Sequence, residues 1–141
     1  MNTTLTHPLE PLTADEVQLA VALLREAGKD TPTTRFVSVS LKEPAKSTVY
    51  GFTGEGTLPR TAFAVLFDNA TNSCYEATIA LTEKAVRTWK HIPGVQPTMT
   101  ADEQVECERA VLASAEFKAA LERQYGITDT SLVMVDIWSA G

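Results

Sequence analysis

The sequence predicts an α+β fold: a helix packed on a four- to five-stranded antiparallel sheet, followed by the incomplete start of a second similar unit with two helices and one strand. Three observations predict it. The tetrapeptide Thr-Ala-Asp-Glu occurs at residues 13–16 and again at residues 100–103, each time after a proline and before an apolar run. Several strand patterns follow the first copy, whereas two helical patterns and one strand pattern follow the second. A helix followed by strands with short turns favours an antiparallel sheet covered by that helix.

The repeated tetrapeptide has the chemistry of a helix start. In a capping box, a threonine side chain accepts a hydrogen bond from the backbone N–H three residues on, and a glutamate side chain accepts one from the threonine N–H. Thr13 and Glu16 have this spacing, and so do Thr100 and Glu103. We therefore expect a helix to begin at each copy, as if one structural unit were begun twice.

The first predicted helix carries one apolar stripe. Its members recur at helical spacing and are Val17, Ala20, Val21, Leu24 and Ala27. Gly28 follows as a typical C-terminal stop, because glycine adopts the left-handed conformation that ends many helices. The helix therefore has one face to bury against the sheet.

Four or five strands are predicted after this helix. Residues 35–41 alternate, with Val37, Val39 and Leu41 on one face and serines on the other. The short run at residues 47–52 is the optional fifth strand. Three longer strand patterns follow at residues 61–67, 75–82 and 84–92.

Two helices and one strand are predicted after the second tetrapeptide, at residues 101–113, 115–125 and 132–138. Ser114 is the expected cap of the second of these helices, and Gly126 is its expected stop.

The strand at residues 132–138 bears on how the domains are divided. A single strand cannot form a sheet, and an unpaired apolar edge promotes association. We expect residues 1–96 to form a first small α+β domain and residues 97–141 to be the opening part of a truncated second domain, in an excised fragment. The alternative is a complete protein whose last strand joins the first sheet or pairs across a dimer.

Composition excludes several classes of function. The chain has 141 residues, 44% hydrophobic content, a formal net charge of −6 and a pI near 4.9, which is typical of a globular protein and argues against a nucleic-acid or anionic-membrane surface. The N-terminus lacks the basic and apolar regions of a signal peptide, so we expect a cytoplasmic protein. Cys74 and Cys107 are expected to be free, mostly buried thiols.

No catalytic, cofactor-binding or metal site is predicted within the chain. His7 and His91 lie far apart in the sequence and have no cluster of metal-ligand spacing beside them. We interpret them as loop and strand-end histidines. The acidic residues that follow Thr100 suit the positive end of a helix dipole better than acid–base catalysis.

Five segments stand in a characteristic order along the chain: HPLEPLTADE at residues 7–16, RF at 35–36, LKEPAK at 41–46, RTA at 60–62 and WKHIPGVQP at 89–97. Together they resemble the N-terminal region of the copper amine oxidases. Residues further along the chain resemble the next small domain of the same proteins; they are residues 103–108, 125–127 and 138–141. The resemblance covers nearly the whole chain.

The resemblance implies two successive small α+β domains of cystatin-like shape ahead of a large β-sandwich catalytic domain, in a parent that is a homodimer. It also implies the parent reaction, in which a primary amine, O2 and water give an aldehyde, ammonia and hydrogen peroxide. The family uses copper held by three histidines and topaquinone made from a tyrosine in an Asn-Tyr-Asp/Glu context. This sequence has two histidines and no Asn followed by Tyr, so no catalytic residue is carried over.

We therefore expect a non-catalytic N-terminal fragment of a copper- and quinone-dependent primary amine oxidase that packs on the catalytic domain of its parent, without nucleic-acid or membrane partners. The alternative is a free-standing cystatin-like binding or scaffold module without enzymatic activity.

Overall fold

The computed structural model describes residues 7–54 and 58–138. The chain divides into two compact units, Met1–Pro97 and Thr98–Gly141, which are called the first unit and the second unit below. A resemblance noted at residues 139–141 lies outside the described residues.

In residues 7–54 and 58–97, the first unit contains one long helix, one short helix and four strands. In chain order these are α1 (Ala14–Glu26), β1 (Thr34–Leu41), α2 (Lys46–Tyr50), β2 (Thr61–Asp68), β3 (Ser73–Ala80) and β4 (Ala85–Ile92). The strands form one sheet in the order β1-β2-β3-β4, and each neighbouring pair is antiparallel. The predicted combination of a helix and a four-stranded antiparallel sheet is confirmed.

Helix α1 begins and ends where the sequence predicts. The Glu16 N–H donates to Thr13 Oγ1 at 3.2 Å, and the Thr13 N–H donates to Glu16 Oε2 at 2.9 Å, which completes the capping box. At the other end, Gly28 has φ +68° and donates its N–H to the Arg25 carbonyl at 2.9 Å. A left-handed glycine thus ends the helix.

The core lies between α1 and one face of the sheet. Its fully buried members are Ala20 and Leu24 of α1 together with Ala62, Ala64, Leu66, Ala77 and Ile79 of the two central strands. Alanine carries a single methyl group, so these strands leave space for the leucines of the helix to pack closely. The opposite face of β2 carries the half-buried side chains Phe63, Val65 and Phe67.

Strand β1 differs from the predicted alternation by one residue. The alternation places Val37 on the same face as Val39, but the register skips a position between Phe36 and Ser38. Val37 is the extra residue of a β-bulge, and Phe36 joins Val39 against the core. The predicted placement of Val37 is therefore wrong, because a pattern of period two does not reveal a residue inserted into the ladder.

The prediction of an optional fifth strand at residues 47–52 is also wrong. Helix α2 occupies most of this run, and the Ala45 carbonyl accepts from the N–H groups of Thr48 and Val49 at 2.9 and 3.2 Å. A run of six residues is too short for periodicity to separate a strand from a helical turn. The four-stranded sheet does not include these residues, and their backbone groups pair locally.

Up to residue 138, where the description ends, the second unit contains two helices and one 3-10 turn: α3 (Ala101–Ala113), α4 (Ala115–Tyr125) and Thr130–Leu132. Ser114 caps α4 by accepting from the Phe117 N–H at 3.3 Å, and Gly126 ends it with φ +66°. Both predicted helices are confirmed. Within the part of the chain that the structure describes, no helix has the length and apolar character needed to cross a bilayer.

The strand predicted at residues 132–138 is wrong. Leu132 ends the 3-10 turn, and residues 133–138 belong to no helix or sheet. Val133 has extended dihedral angles, φ −118° and ψ 131°. A strand needs a neighbour that pairs its N–H and C=O groups, and the described residues supply none to this segment.

Candidate functional site

Among the described residues, Arg60 is the charged residue that is buried, with 7% of its surface exposed. Its Nε donates to Glu16 Oε1 at 2.9 Å, and its Nη2 donates to Glu16 Oε2 at 3.0 Å. Nη1 donates to the Glu10 carbonyl at 2.9 Å, and Nη2 also donates to the Pro11 carbonyl at 3.0 Å. The guanidinium therefore ties together the start of β2, the first turn of α1 and the segment that precedes α1.

The alternation of β2 directs Arg60 toward the helix. Arg60 lies two and four residues before the buried Ala62 and Ala64, and so on the same face of the strand. Its N–H donates to Thr82 Oγ1 at 2.9 Å, and its carbonyl accepts from the Leu81 N–H at 2.9 Å. The sequence prediction missed this residue, although the alternation extended back from Ala62 contains the signal.

Glu16 caps α1 and neutralises Arg60 at the same time. Its Oε2 accepts from both the Thr13 N–H and Arg60 Nη2. Hydrogen bonds from Arg60 hold the pKa of the Glu16 carboxyl below its ordinary value of 4.5, while burial acts in the opposite direction. Because the carboxylate also lies at the positive end of the helix dipole, it stays ionised near neutral pH.

The second copy of the tetrapeptide forms the same cap without an arginine. The Thr100 N–H donates to Glu103 Oε2 at 2.7 Å, and the Glu103 N–H donates to Thr100 Oγ1 at 3.4 Å. Glu103 is exposed, and its side-chain hydrogen bonds to the described residues are all to Thr100. The two copies share their local chemistry and differ in their tertiary surroundings.

The two histidines contact different aromatic rings. The His7 ring meets Phe52 edge-on, with centroids 6.4 Å apart. The His91 ring, on β4, lies 5.3 Å from the ring of Tyr75, which is itself stacked on Trp89 at 4.7 Å. Each histidine is exposed, so they occupy the loop and strand-end positions that the sequence predicts.

The chain's own residues do not fit the copper and quinone that the resemblance implies for the parent. Among residues 7–54 and 58–138, no group of three or more His, Cys, Asp or Glu side chains is placed to hold a metal ion. Copper in proteins is commonly held by several imidazoles, and the two histidines here contact separate rings. We derive no chemical step through either group from these residues.

Both cysteines are free, as predicted. Cys74 on β3 is buried, with 5% of its surface exposed, whereas Cys107 on α3 is half-buried. Burial raises the pKa of the Cys74 thiol, and the carboxylate of Glu76 acts in the same direction. Since the thiolate is the nucleophile, Cys74 is an inert core residue.

One open groove of about 410 Å³ lies at an end of the sheet in the first unit. Three of its four charged lining residues are partnered: Lys42 Nζ donates to Thr78 Oγ1 at 3.1 Å, and Arg87 forms an ion pair with Glu83, while the exposed Glu43 is the fourth. No buried side-chain polar atom among the described residues is left without a hydrogen-bond partner. The groove therefore lacks the convergent unsatisfied groups that are typical of a catalytic pocket.

Comparison with known families matches residues 13–88 to the AGAO-like N2 domain. The matched stretch begins at the Thr13 cap and runs into β4, so it takes in α1, Arg60 and most of the sheet.

Curated relatives align over nearly the whole chain. It is 38% identical over 136 residues to the primary amine oxidase of Arthrobacter sp. (strain P1) and 34% identical over 138 residues to that of Klebsiella aerogenes. Each alignment takes in 96% of this chain but only 20% and 18% of those two relatives. The chain thus spans about a fifth of the length of the curated relatives it matches.

A solved structure shares the fold. The crystal structure of a copper-containing benzylamine oxidase from Hansenula polymorpha matches 82% of this chain and 19% of its own, with a TM-score of 0.69 and 22% sequence identity. At this identity the match concerns the fold alone.

Proposed function

Because the chain belongs to the AGAO-like N2 family and is an N-terminal domain of the copper amine oxidases, we propose that it serves as a non-catalytic, structural part of a primary-amine oxidase. The observation that carries the proposal is the alignment of 96% of this chain with only 20% of a primary amine oxidase. In the proposed parent, copper and topaquinone lie in a catalytic domain outside residues 1–141. That domain oxidises a primary amine with O2 and water to an aldehyde, ammonia and hydrogen peroxide.

The proposed partner of the first unit is the catalytic domain of a homodimeric parent. The sheet face turned away from α1 supports this role, because Phe63, Val65 and Phe67 form a half-buried apolar row along β2. Apolar rows of this kind are typical of surfaces that pack against another domain. The Arg60 ion pair supports it as well, since a fully occupied buried guanidinium stiffens the unit and does not offer a binding site.

The proposal includes two finer features. The cystatin-like shape rests on the order of one helix and then an antiparallel sheet. A cytoplasmic location rests on two unpaired thiols, which suit a reducing compartment. Cell fractionation with an antibody against the chain tests the location directly.

A chimaeric oxidase tests the function. The N-terminal segment of the Arthrobacter enzyme that aligns with this chain is replaced by residues 1–141. We expect the chimaera to bind copper and release hydrogen peroxide from a primary amine, while the isolated chain with added copper releases none. Peroxide release by the isolated chain contradicts a non-catalytic role.

The packing surface is tested in the same chimaera. Val65→Lys should lower its thermal stability and activity, whereas Gln18→Lys, at an exposed position on α1 on the other side of the sheet, should leave both within experimental error. Equal effects of the two variants contradict packing through β2. Mass spectrometry of the natural gene product gives an independent check: several hundred residues support the proposal, and a product ending at Gly141 favours a free-standing binding or scaffold module.

A further inference from the structure

Strands β1 and β4 are the outer strands of the sheet, and each contains one residue more than its ladder needs. In β1 this extra residue is Val37, as described above. In β4 the register skips Arg87, which stands between the paired residues Val86 and Thr88. Two residues that oppose one residue of the neighbouring strand form a β-bulge. The sheet therefore has a second bulge, at Arg87, on its other outer strand.

The central ladder has no such irregularity. Strands β2 and β3 pair residue by residue, from Thr61 opposite Ala80 to Asp68 opposite Ser73. The extra residues are therefore confined to the two strands that have a single neighbour in the sheet.

The two bulges share one arrangement of side chains. In each, the residue before the extra one and the residue two positions after it pack against the core. These residues are Phe36 and Val39 in β1, and Val86 and Trp89 in β4. The extra residue is thus inserted without removing a side chain from the core, so each bulge changes the edge of the sheet while the packing beneath it is kept.

A bulge disturbs the outer side of the strand that contains it. It bends the strand, increases its twist and interrupts the ladder, so the N–H and C=O groups no longer form the even series that an incoming strand requires. The longer uninterrupted runs that remain are residues 38–41 in β1 and residues 88–92 in β4. Another strand would need a matching irregularity to pair along the whole of either outer strand.

Arginine side chains add to this barrier at each outer strand. Arg87 forms an ion pair with Glu83, and both side chains are more than half exposed, so the bulge of β4 presents charge at the surface. At the start of β1, Arg35 Nη1 donates to the carbonyls of Pro32 and Thr34, each at 3.3 Å. Charged side chains on outer strands oppose the addition of another strand.

We infer that the sheet of the first unit is closed to strand addition at both outer strands, and that the extra residues Val37 and Arg87 close it. A closed edge is a property of the sheet itself, so it holds for the isolated chain and within a longer parent. Contacts of the first unit with another domain or with a second copy then use the faces of the sheet. Removing either extra residue should open the corresponding edge to pairing between copies.

Deletion of Val37 and deletion of Arg87, each in the full chain, test the two edges separately. Each deletion leaves the residue pairs on both sides of the bulge in register, so both variants should unfold cooperatively in urea. In sedimentation velocity between about 10 and 300 μM, the weight-average mass of each variant should rise from 15.3 kDa toward twice that value, and should exceed that of the wild type. A variant that keeps the wild-type mass, or that does not fold, overturns the inference for its edge.

Arg87→Ala separates the effect of the bulge from that of the charge. This variant retains the extra residue and loses the guanidinium group. Its weight-average mass should therefore stay closer to that of the wild type than to that of the deletion variant. If Arg87→Ala associates as strongly as the deletion variant, the charge closes the edge, which contradicts the role assigned to the extra residue.

Hydrogen exchange locates the new contact. In the chain that lacks Arg87, the amide groups of residues 88–92 that do not bond to β3 should exchange more slowly as the protein concentration rises, because a second strand pairs with them. In the wild type their exchange should not depend on concentration. Association that leaves these amide groups unprotected uses another surface and overturns the edge as the place of pairing.

Discussion

Arg60 and Glu16, 44 residues apart in the chain, form a two-pronged ion pair: Nε to Oε1 at 2.9 Å and Nη2 to Oε2 at 3.0 Å. The side chain of Arg60 is 8% exposed and that of Glu16 is 17% exposed. A helix cap is usually a local interaction, but here the capping residue Glu16 is also bound to Arg60 at the sheet. The pair therefore connects the start of α1 to the entry of β2.

Replacing Arg60 should destabilise the first unit strongly. In Arg60→Met the Glu16 carboxylate keeps its buried surroundings but loses its cationic partner, and the carbonyls of Glu10 and Pro11 lose their donor. We expect the free energy of unfolding to fall by about 3 kcal/mol. Urea denaturation followed by circular dichroism measures it.

Arg87→Met is the matched control for that variant. Arg87 pairs with Glu83 at the surface, where both side chains are more than half exposed. Exposed pairs contribute little, so the loss should stay within about 0.5 kcal/mol. Similar losses for the two arginines would contradict the importance assigned to burial.

The repeated tetrapeptide allows a comparison of the same substitution in two surroundings. Glutamine retains an oxygen that can accept the cap hydrogen bond but carries no charge. Glu16→Gln should therefore cost about 2 kcal/mol, because Arg60 is left without its counter-ion. Glu103→Gln should cost no more than about 0.5 kcal/mol, and thermal unfolding of both variants measures the difference.

Acid should weaken the fold through Glu16. Its pKa is lowered in the folded state, so the stabilisation is present above the ordinary pKa of 4.5 and is lost as the pH falls through the lower folded value. Asp68 and Asp129 act in the same direction, since hydrogen bonds from Thr33 and Ser131 lower their pKa values. Below about pH 4.5 the unfolding free energy of the wild type should decline more steeply than that of Glu16→Gln. Urea titrations from pH 7 to 3 give the unfolding free energy of both proteins at each pH. If the two free energies fell in parallel, Glu16 would contribute nothing to the pH dependence of stability.

Deleting one residue of β1 tests the bulge. Without Val37 the ladder becomes regular and Phe36, Ser38 and Val39 keep their faces, so we expect a loss of about 1 kcal/mol. Deleting Val39 also permits a regular ladder, but it places Ser38 opposite Ala64 in the core. That deletion should lower the free energy of unfolding by about 3 kcal/mol. Chemical denaturation of both variants shows which deletion is the more destabilising.

The two thiols should differ in reactivity. Cys74 is buried and its pKa is raised, whereas Cys107 is half-buried on α3. Iodoacetamide at pH 8 should modify Cys107 of the native chain first, and mass spectrometry of tryptic peptides identifies the site. Modification of Cys74 at the rate of Cys107 would show that the core opens readily.

The sequence by itself determined the helix caps, the glycine stops and the alternation of β2, all of which depend on neighbours along the chain. The caps at Thr13, Thr100 and Ser114 and the glycine stops at Gly28 and Gly126 rest on hydrogen bonds that span three or four residues. The alternation of β2 rests on the pleat of one strand. Each is visible in a short window of residues, and each is present in the structure.

Only the tertiary structure decided the features that need a partner from elsewhere in the chain. Arg60 forms its buried ion pair only because the fold places Glu16 of α1 beside it. Val37 is a bulge residue only because of the register between β1 and β2. Residues 133–138 form no strand because no described strand lies beside them. The physical reason is the same in all three cases. A hydrogen bond within one helical turn is set by local geometry, whereas an ion pair or a strand ladder depends on which distant segments the fold brings together.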